Sequence, residues 1–350
     1  MATTLKDVAE RAGVSIKTVS NVVRDLPLVA PETRERVRAA IEQLHYRPNL
    51  TARHLRKARL GVLALAIADL DIPYFSEVGK AVIAAAAAEG YTVLIDYTGG
   101  TRDNERHVIN GLRPHLIDGV ILSPLALEME DVQPSHVRVP IVLLGERLFG
   151  APWDHIVIDN VSAARLATNH LIGLGRRRIG VIGLQDTSAG ETARQRWRGF
   201  QEAMNAAGMP VDPALVVEAP SFHRVNGAEA MRHLLTLHPG PDAVFCFNDL
   251  LALGAMRALH QAGRRVPDDV AVVGFDDIEE GHFSTPSLTS IAPDKWEIAR
   301  LAVSLLLARL RGERTGPPER FQPPYWLVVR ESTVGAAANP TFGAVAPPQL

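Results

Sequence analysis

Ile16, Lys17, Ser20 and Asn21 share one side of the stretch Ser15–Val23, whose other side carries Val19 and Val22. On a helix, residues three and four apart lie on one face. Lys offers donors to guanine N7 and O6, Asn pairs with adenine, and Ile meets a thymine methyl, so the set suits base edges in a major groove. Ser15, Thr18 and the backbone amides at the helix start suit phosphates. Each of these residues taken singly reads better as a solvated helix face; together they point to duplex DNA.

The neighbouring elements have to hold that face in place. Thr4–Ala12 carries apolar residues at 5, 8, 9 and 12, the stripe of an amphipathic helix capped by Thr3 or Thr4. Thr4 also counts among the candidate DNA contacts. Gly13 supplies a tight turn, and Ser15 caps the second helix. Pro31 opens a third helix, which buries Val37, Ala40, Ile41 and Leu44 and ends before Pro48. Helix, glycine turn, helix and supporting helix is a helix-turn-helix head.

Charge supports this division. The 350 residues sum to −2, but residues 1–59 hold 12 Lys and Arg against six acids, +6, and the remaining 291 residues sum to −8. A cationic head on an anionic body suits a polyanion ligand for one part and a different ligand for the other.

The segment TLKDVAERAGVSIKTVSNVV, continued by PETRERVRAAIEQLHYRPNLTARHLRKAR, resembles the N-terminal signature of the lactose-repressor (LacI) family of bacterial transcription factors. The resemblance implies a hinge helix after the head that enters the minor groove, with Asn49, Ala52 and Arg53 as contacts and Leu55 as a wedge between base steps. Packing of Leu55 against the body is the alternative. Arg24 and His54 depart from the residues frequent in the family, which bears on phosphate contacts and operator preference.

From Leu60 onward short Val/Ile/Leu runs (LGVLALAI, YTVLID, GVILSP, PIVLLG, HIVID, RIGVIG, ALVVE, AVFCF, VAVVGF) alternate with helical stretches. Such runs predict parallel strands covered on both faces, here in two doubly wound sets. Ligands of these sheets sit beyond the carboxyl ends of the strands, so a cleft between two lobes is expected. This body, Leu60 to about Arg330, resembles the effector domain of the same family and type I periplasmic sugar-binding proteins. The markers are Pro73-Tyr74-Phe75, Asp159-Asn160, Arg196-Trp197-Arg198-Gly199-Phe200, Asn248-Asp249, Val272–Asp277 and Pro286-Ser287-Leu288-Thr289. The resemblance implies three passages of the chain between lobes, near Asn160, Ile291 and Gln322.

Carried over position by position, the effector-lining candidates are Tyr74, Phe75, Ser123, Arg196, Phe222, Asn248 and Asp276; Gly145-Glu146-Arg147 also falls near the cleft. Aromatic rings beside Asp, Asn and Arg suit a polyhydroxylated ligand, with C–H faces stacked and vicinal hydroxyls paired. A sugar is the first expectation and a purine-like metabolite the second. Core packing is the alternative for Phe75 and Phe222, and a structural ion pair for Arg196.

Enzyme motifs are missing: there is no GxxxxGK[ST], HExxH or GxSxG, and Gly173-Leu174-Gly175 ends a helix. The 12 His are scattered, so no metal and no cofactor is expected. The single Cys246 lies in an apolar run and reads as a buried small hydrophobe. The run Leu60–Ala68 is too short to span a bilayer, and MATTLKDVAE has no apolar signal region, so a cytoplasmic location is expected.

The expected architecture is a small all-α helix-turn-helix head (1–47), a hinge (48–59), and an α/β bilobed body of two doubly wound parallel sheets (60–331). The first lobe takes about 60–160 and 291–322, the second about 161–290 and 323–331. A Gly/Ala/Pro-rich tail (332–350) is expected to be disordered and lacks a leucine heptad. The expected function is a sequence-specific DNA-binding repressor, homodimeric on a palindromic operator, controlled by a small molecule. A cytoplasmic sugar-binding or sugar-metabolising protein with an incidental basic head is the alternative, and an architectural DNA-binding protein a third.

Overall fold

The computed structural model describes residues 3–23, 27–44, 46, 59–110, 116–132, 139–185 and 190–336. Asn49, Ala52, Arg53, Leu55, Arg24 and His54 lie outside the described residues, as does the tail from 337. Two compact units emerge, Met1–Gly61 and Val62–Leu350.

The first unit is helical: α1 (Leu5–Ala12), α2 (Ile16–Val23) and α3 (Pro31–Gln43). Thr4, not Thr3, caps α1 in a reciprocal box, taking the Asp7 N–H and giving its own N–H to the Asp7 carboxylate at 2.7 Å. Thr3 instead donates its hydroxyl to the Leu44 carbonyl at 3.1 Å, tying the start of α1 to the end of α3. Gly13 closes α1 at φ 64°, the left-handed turn that a side chain would strain. Val8, Val19 and Val37, one from each helix, are fully buried together with Ala9, Ala12, Val22, Ala40 and Tyr46. Ile41 and Leu44 are half-buried against this cluster.

In the second unit the first lobe begins with β1 (Val62–Ile67), α4 (Pro73–Ala88), β2 (Thr92–Tyr97), α5 (Arg102–Ile109), β3 (Gly119–Leu122), β4 (Ile141–Leu144) and β5 (Asp154–Ile156). The chain then builds the second lobe from α6 (Asn160–Gly173), β6 (Ile179–Leu184), α7 (Glu191–Ala206), β7 (Val216–Glu218), α8 (Arg224–Leu234), β8 (Ala243–Cys246), α9 (Asp249–Gln261), β9 (Ala271–Phe275), α10 (Glu279–His282) and β10 (Thr289–Pro293). It returns for α11 (Lys295–Arg311) and β11 (Arg320–Phe321), and ends in the second lobe with β12 (Tyr325–Val328) and α12 (Glu331–Val334).

Among the described residues each lobe has one six-stranded sheet, ordered β11-β5-β4-β3-β1-β2 and β12-β10-β9-β8-β6-β7. All pairs are parallel except β10 with β12. Strands β3 and β4 are wholly buried because α4 and α11 cover one face of their sheet while Ile109, Leu127 and Trp153 cover the other.

Three expectations need correction. The second passage between lobes follows Pro293, not Ile291: Ile291 pairs with Phe275 on one side and Leu327 on the other, deep in the second sheet. The body also continues past residue 331. Ser332 is fully buried, giving its hydroxyl to the Val272 carbonyl and taking the Thr289 N–H, so two groups of the sheet depend on it. Finally, β2 is not covered on both faces. Among the described residues it pairs only with β1, and Leu94, Ile95 and Tyr97 are 40–57% exposed.

The three passages are laced together by backbone hydrogen bonds: Val157 N–H to the Phe321 carbonyl, and Asp294 N–H to the Pro324 carbonyl, each 3.0 Å. Leu306 on α11 is fully buried and lies directly over Gly119 of β3. Leu306→Ala should therefore cost about 2–5 kcal/mol, read as a lower urea midpoint with an unchanged slope.

Candidate functional site

In the head, the cap and turn leave α2 with one face to solvent. Val19 and Val22 point inward; Ser15, Ile16 and Lys17 are exposed, and Thr18, Ser20 and Asn21 half-exposed. Ile16 is 45% exposed and, on this face, suited to contact with an apolar group such as a base methyl. Ser15 caps the helix by accepting the Thr18 N–H at 3.1 Å, and its hydroxyl also meets that of Thr18 at 2.9 Å. The Thr4 hydroxyl is committed to Asp7, whose carboxyl is held below its usual range by the Thr4 N–H.

In the body the effector candidates come from both lobes, most of them beyond the carboxyl ends of parallel strands. Tyr74 and Phe75 open α4 after β1, and Ser123 follows β3. Phe222 lies after β7, Asn248 caps α9 after β8, and Asp276 follows β9. Arg196 reaches in from α7.

Arg196 is 4% exposed and meets only protein groups. Its Nε donates to Asn160 Oδ1 at 2.8 Å and its Nη1 to the Phe247 carbonyl. Its guanidinium carbon lies 3.4 Å from the Phe275 ring centroid, and Nη2 is 3.8 Å from Asp276 Oδ1. Burial opposes the Arg196 charge, and the nearby Asp276 and Glu146 carboxylates counter that effect. The guanidinium thus joins the first interlobe passage, the end of β8 and the end of β9.

Asp276 sits at φ 108°, a conformation that costs a side-chain-bearing residue on the order of 1–3 kcal/mol. The surroundings enforce it: Asp276 N–H donates to the Ile291 carbonyl, Asp277 N–H to Ser290 Oγ, and Ile278 N–H to Asp249 Oδ2. Asp249 is a fully buried carboxyl that also accepts the Ser290 hydroxyl at 2.6 Å. Burial drives it well above the ordinary carboxylate range, and Asp276 adds to the effect. A Cβ on Gly274 would stand 2.1 Å from Asp249 Oδ1, so only glycine lets this carboxyl brace the turn.

Asn248 is committed to structure, accepting the Leu251 N–H and donating to the Phe222 carbonyl at 3.0 Å. Phe222 is half-buried against the second-lobe core and Phe75 against the first-lobe core. Ser123 is buried, its hydroxyl oxygen close to Gly145. Desolvation and the Asp276 and Glu146 charges push the Tyr74 hydroxyl well above its usual range, keeping it a neutral donor.

Side chains bridge the lobes. Glu146 Oε2 accepts the Thr192 hydroxyl at 2.8 Å, and His223 Nε2 meets Asp69 Oδ2 at 3.1 Å. Glu77 accepts the Glu279 N–H at 3.0 Å and pairs with Lys295, which also donates to the Asp277 carbonyl at 2.8 Å. The sequence reading placed Glu146 only near the cleft and assigned no role to Asn160, Thr192, Asp249 or Ser290. Apart from the Asn160 and Asp249 marker positions, no local signal distinguishes them.

Residues 4–49 match the model of bacterial regulatory proteins of the lacI family, and residues 168–333 match the periplasmic binding protein-like domain. The HTH-type transcriptional repressor PurR of Haemophilus influenzae (strain PittEE) is 34% identical over 339 residues, covering 94% of this chain and 98% of that protein. The ribose operon repressor of Halalkalibacterium halodurans is also 34% identical, covering 95% and 98%. This chain belongs to the lacI family. Among solved structures, the lac repressor dimer bound to operator and the anti-inducer ONPF superposes with a TM-score of 0.79 at 28% identity, covering 96% of this chain and 100% of that one. As a member of the lacI family, the chain is a DNA-binding transcriptional repressor with a periplasmic-binding-protein-like effector domain.

In this lacI-family body, burial pushes the Asp276 carboxyl up to about 7, opposed by Arg196 and Lys295. An unfolded chain releases this proton near pH 4, the folded one only near pH 7, so stability falls as pH rises through that window and levels off above it. Asp249 shifts in the same direction. Asp276→Asn should make the fall in melting temperature between roughly pH 4 and 7 visibly shallower. An unchanged profile would show that Asp276 does not titrate in that range.

Proposed function

We propose that this chain is a homodimeric repressor that reads a palindromic operator through α2 and is controlled by a small molecule bound between the lobes of its body, with a sugar as the effector class. It works by binding, not catalysis, and acts on DNA in the cytoplasm. The observation that carries the reading is the pairing of two devices in one chain. One is a capped three-helix head with Ile16 and Lys17 turned to solvent; the other is a cleft in which a strained, buried Asp276 faces Arg196.

Lys17 and Asn21 are the base-reading residues, Ile16 the apolar contact, and Ser15, Thr18 and Ser20 the phosphate-side contacts. Thr4 acts through the cap of α1 and the phosphate backbone. Asn49, Ala52, Arg53 and the Leu55 wedge complete the operator contacts in the minor groove. In the cleft Tyr74 and Asp276 bind ligand hydroxyls, Arg196 fixes the Asp276 carboxylate, and Phe75 and Phe222 stack against C–H faces. Ser123 and Asn248 complete the lining. The apolar edge strand β2, with Leu94, Ile95 and Tyr97 uncovered, is the dimerisation face of the first lobe.

Effector binding and operator binding are linked, so each must change the other's affinity by the same factor. Titrating candidate sugars in the presence and absence of operator tests this; equal affinities would defeat the reading. Lys17→Ala and Asn21→Ala should each cost about 1–3 kcal/mol and relax preference at particular half-site positions, measured by binding to operator variants. Uniform weakening across all sequences would make them phosphate contacts. Tyr97→Asp should shift sedimentation towards monomer and weaken operator binding most at low protein concentration.

A further inference from the structure

Glu146 is 7% exposed, yet among the described residues it makes no ion pair. Buried carboxylates are ordinarily paired with a cation. It follows β4 at the turn made by Gly145 (φ 91°), so it emerges at the carboxyl end of a central parallel strand, where ligands of such sheets bind. Its two bonds are neutral ones: Oε1 accepts the Ile158 N–H at 3.2 Å from the first interlobe passage, and Oε2 the Thr192 hydroxyl from the first turn of α7. A carboxylate has about four acceptor sites, so it retains capacity for further donors. Its charge acts directly on Tyr74, Arg196 and Asp276.

The cations of the cleft are already committed. Arg196 faces Asp276, and Lys295 pairs with Glu77. Glu146 therefore adds a negative charge to the interlobe space that, among the described residues, no cation pairs with directly. A desolvated anion placed there meets like-charge repulsion, whereas a ligand rich in O–H donors gains charge-assisted hydrogen bonds.

We propose that Glu146 is a specificity-determining residue: it accepts a ligand hydroxyl from the first lobe and restricts the effector to uncharged, hydroxyl-rich molecules, excluding their phosphorylated counterparts. This rests on the sugar reading given above. Because Glu146 spans the lobes through Thr192, the same carboxylate both chooses the ligand and touches the surface that closes on it.

The test uses the full-length protein at pH 8 and isothermal titration with D-ribose, D-glucose and cellobiose, alongside ribose 5-phosphate and glucose 6-phosphate. The wild type is expected to bind at least one neutral sugar and to bind its phosphorylated counterpart more than about 100-fold more weakly. Glu146→Gln, which keeps the shape and removes the charge, should weaken the neutral sugar about 10- to 100-fold and shrink the discrimination against phosphate. Thr192→Val keeps the carboxylate and should keep the discrimination. Phosphorylated sugars binding the wild type as well as neutral ones would overturn the proposal and leave the sugar reading standing. So would unchanged discrimination in Glu146→Gln, or its equal loss in Thr192→Val. Failure of every sugar, neutral and phosphorylated, to bind would overturn both.

Discussion

The body is organised around one buried cation. The Arg196 guanidinium, out of reach of bulk water, must be satisfied by protein groups, and those it uses belong to parts of the chain far apart in sequence: Asn160, Phe247, Phe275 and Asp276. Leaving such a charge without partners would cost several kcal/mol, so the first passage between lobes and the ends of two central strands are bound to one position. Asp276 is in turn held in a strained conformation by Ile291, Ser290 and the buried Asp249. The backbone at Asp276 is thus over-determined by its hydrogen bonds.

Around that rigid centre the contacts between lobes are of another kind. Glu146 with Thr192, His223 with Asp69, and Glu77 with the Glu279 N–H are polar bridges between separately folded cores. Each can be exchanged for a bond to ligand or water without opening either hydrophobic core. That separation lets a repressor of this family respond: the lobes keep their own stability while small energies of a few hydrogen bonds decide how they face each other. The head needs no such freedom. Its three helices pack on valines from each, and the exposed face of α2 is held by the caps at Thr4 and Ser15.

Charge is partitioned to match. Residues 1–59 carry +6 and the rest of the chain −8, which favours DNA at one part and keeps non-specific polyanion binding away from the other. Among the exposed apolar side chains, Ile16 lies on α2, and Leu94, Ile95 and Tyr97 lie on the edge strand β2.

The sequence by itself determined what is local. The stripe at Leu5, Val8, Ala9 and Ala12, the Gly13 turn, the outward set on α2 and the apolar runs of the parallel strands are all readable because helix and strand periodicity and caps act within a few residues. The ends of parallel strands are legible as a place, and the structure brings the motif residues Arg196 and Asp276 together there. The second passage was placed two residues early because Ile291–Pro293 continues the strand without any change in composition. The tail was misjudged at Ser332 because a small polar residue gives no sign of which carbonyl it will serve. Only the tertiary structure decided that Glu146 meets Thr192, 46 residues away, that Glu77 meets Lys295, 218 residues away, and that β2 stays uncovered. Such pairings depend on where sheets and helices pack in three dimensions, and no periodicity along the chain encodes them.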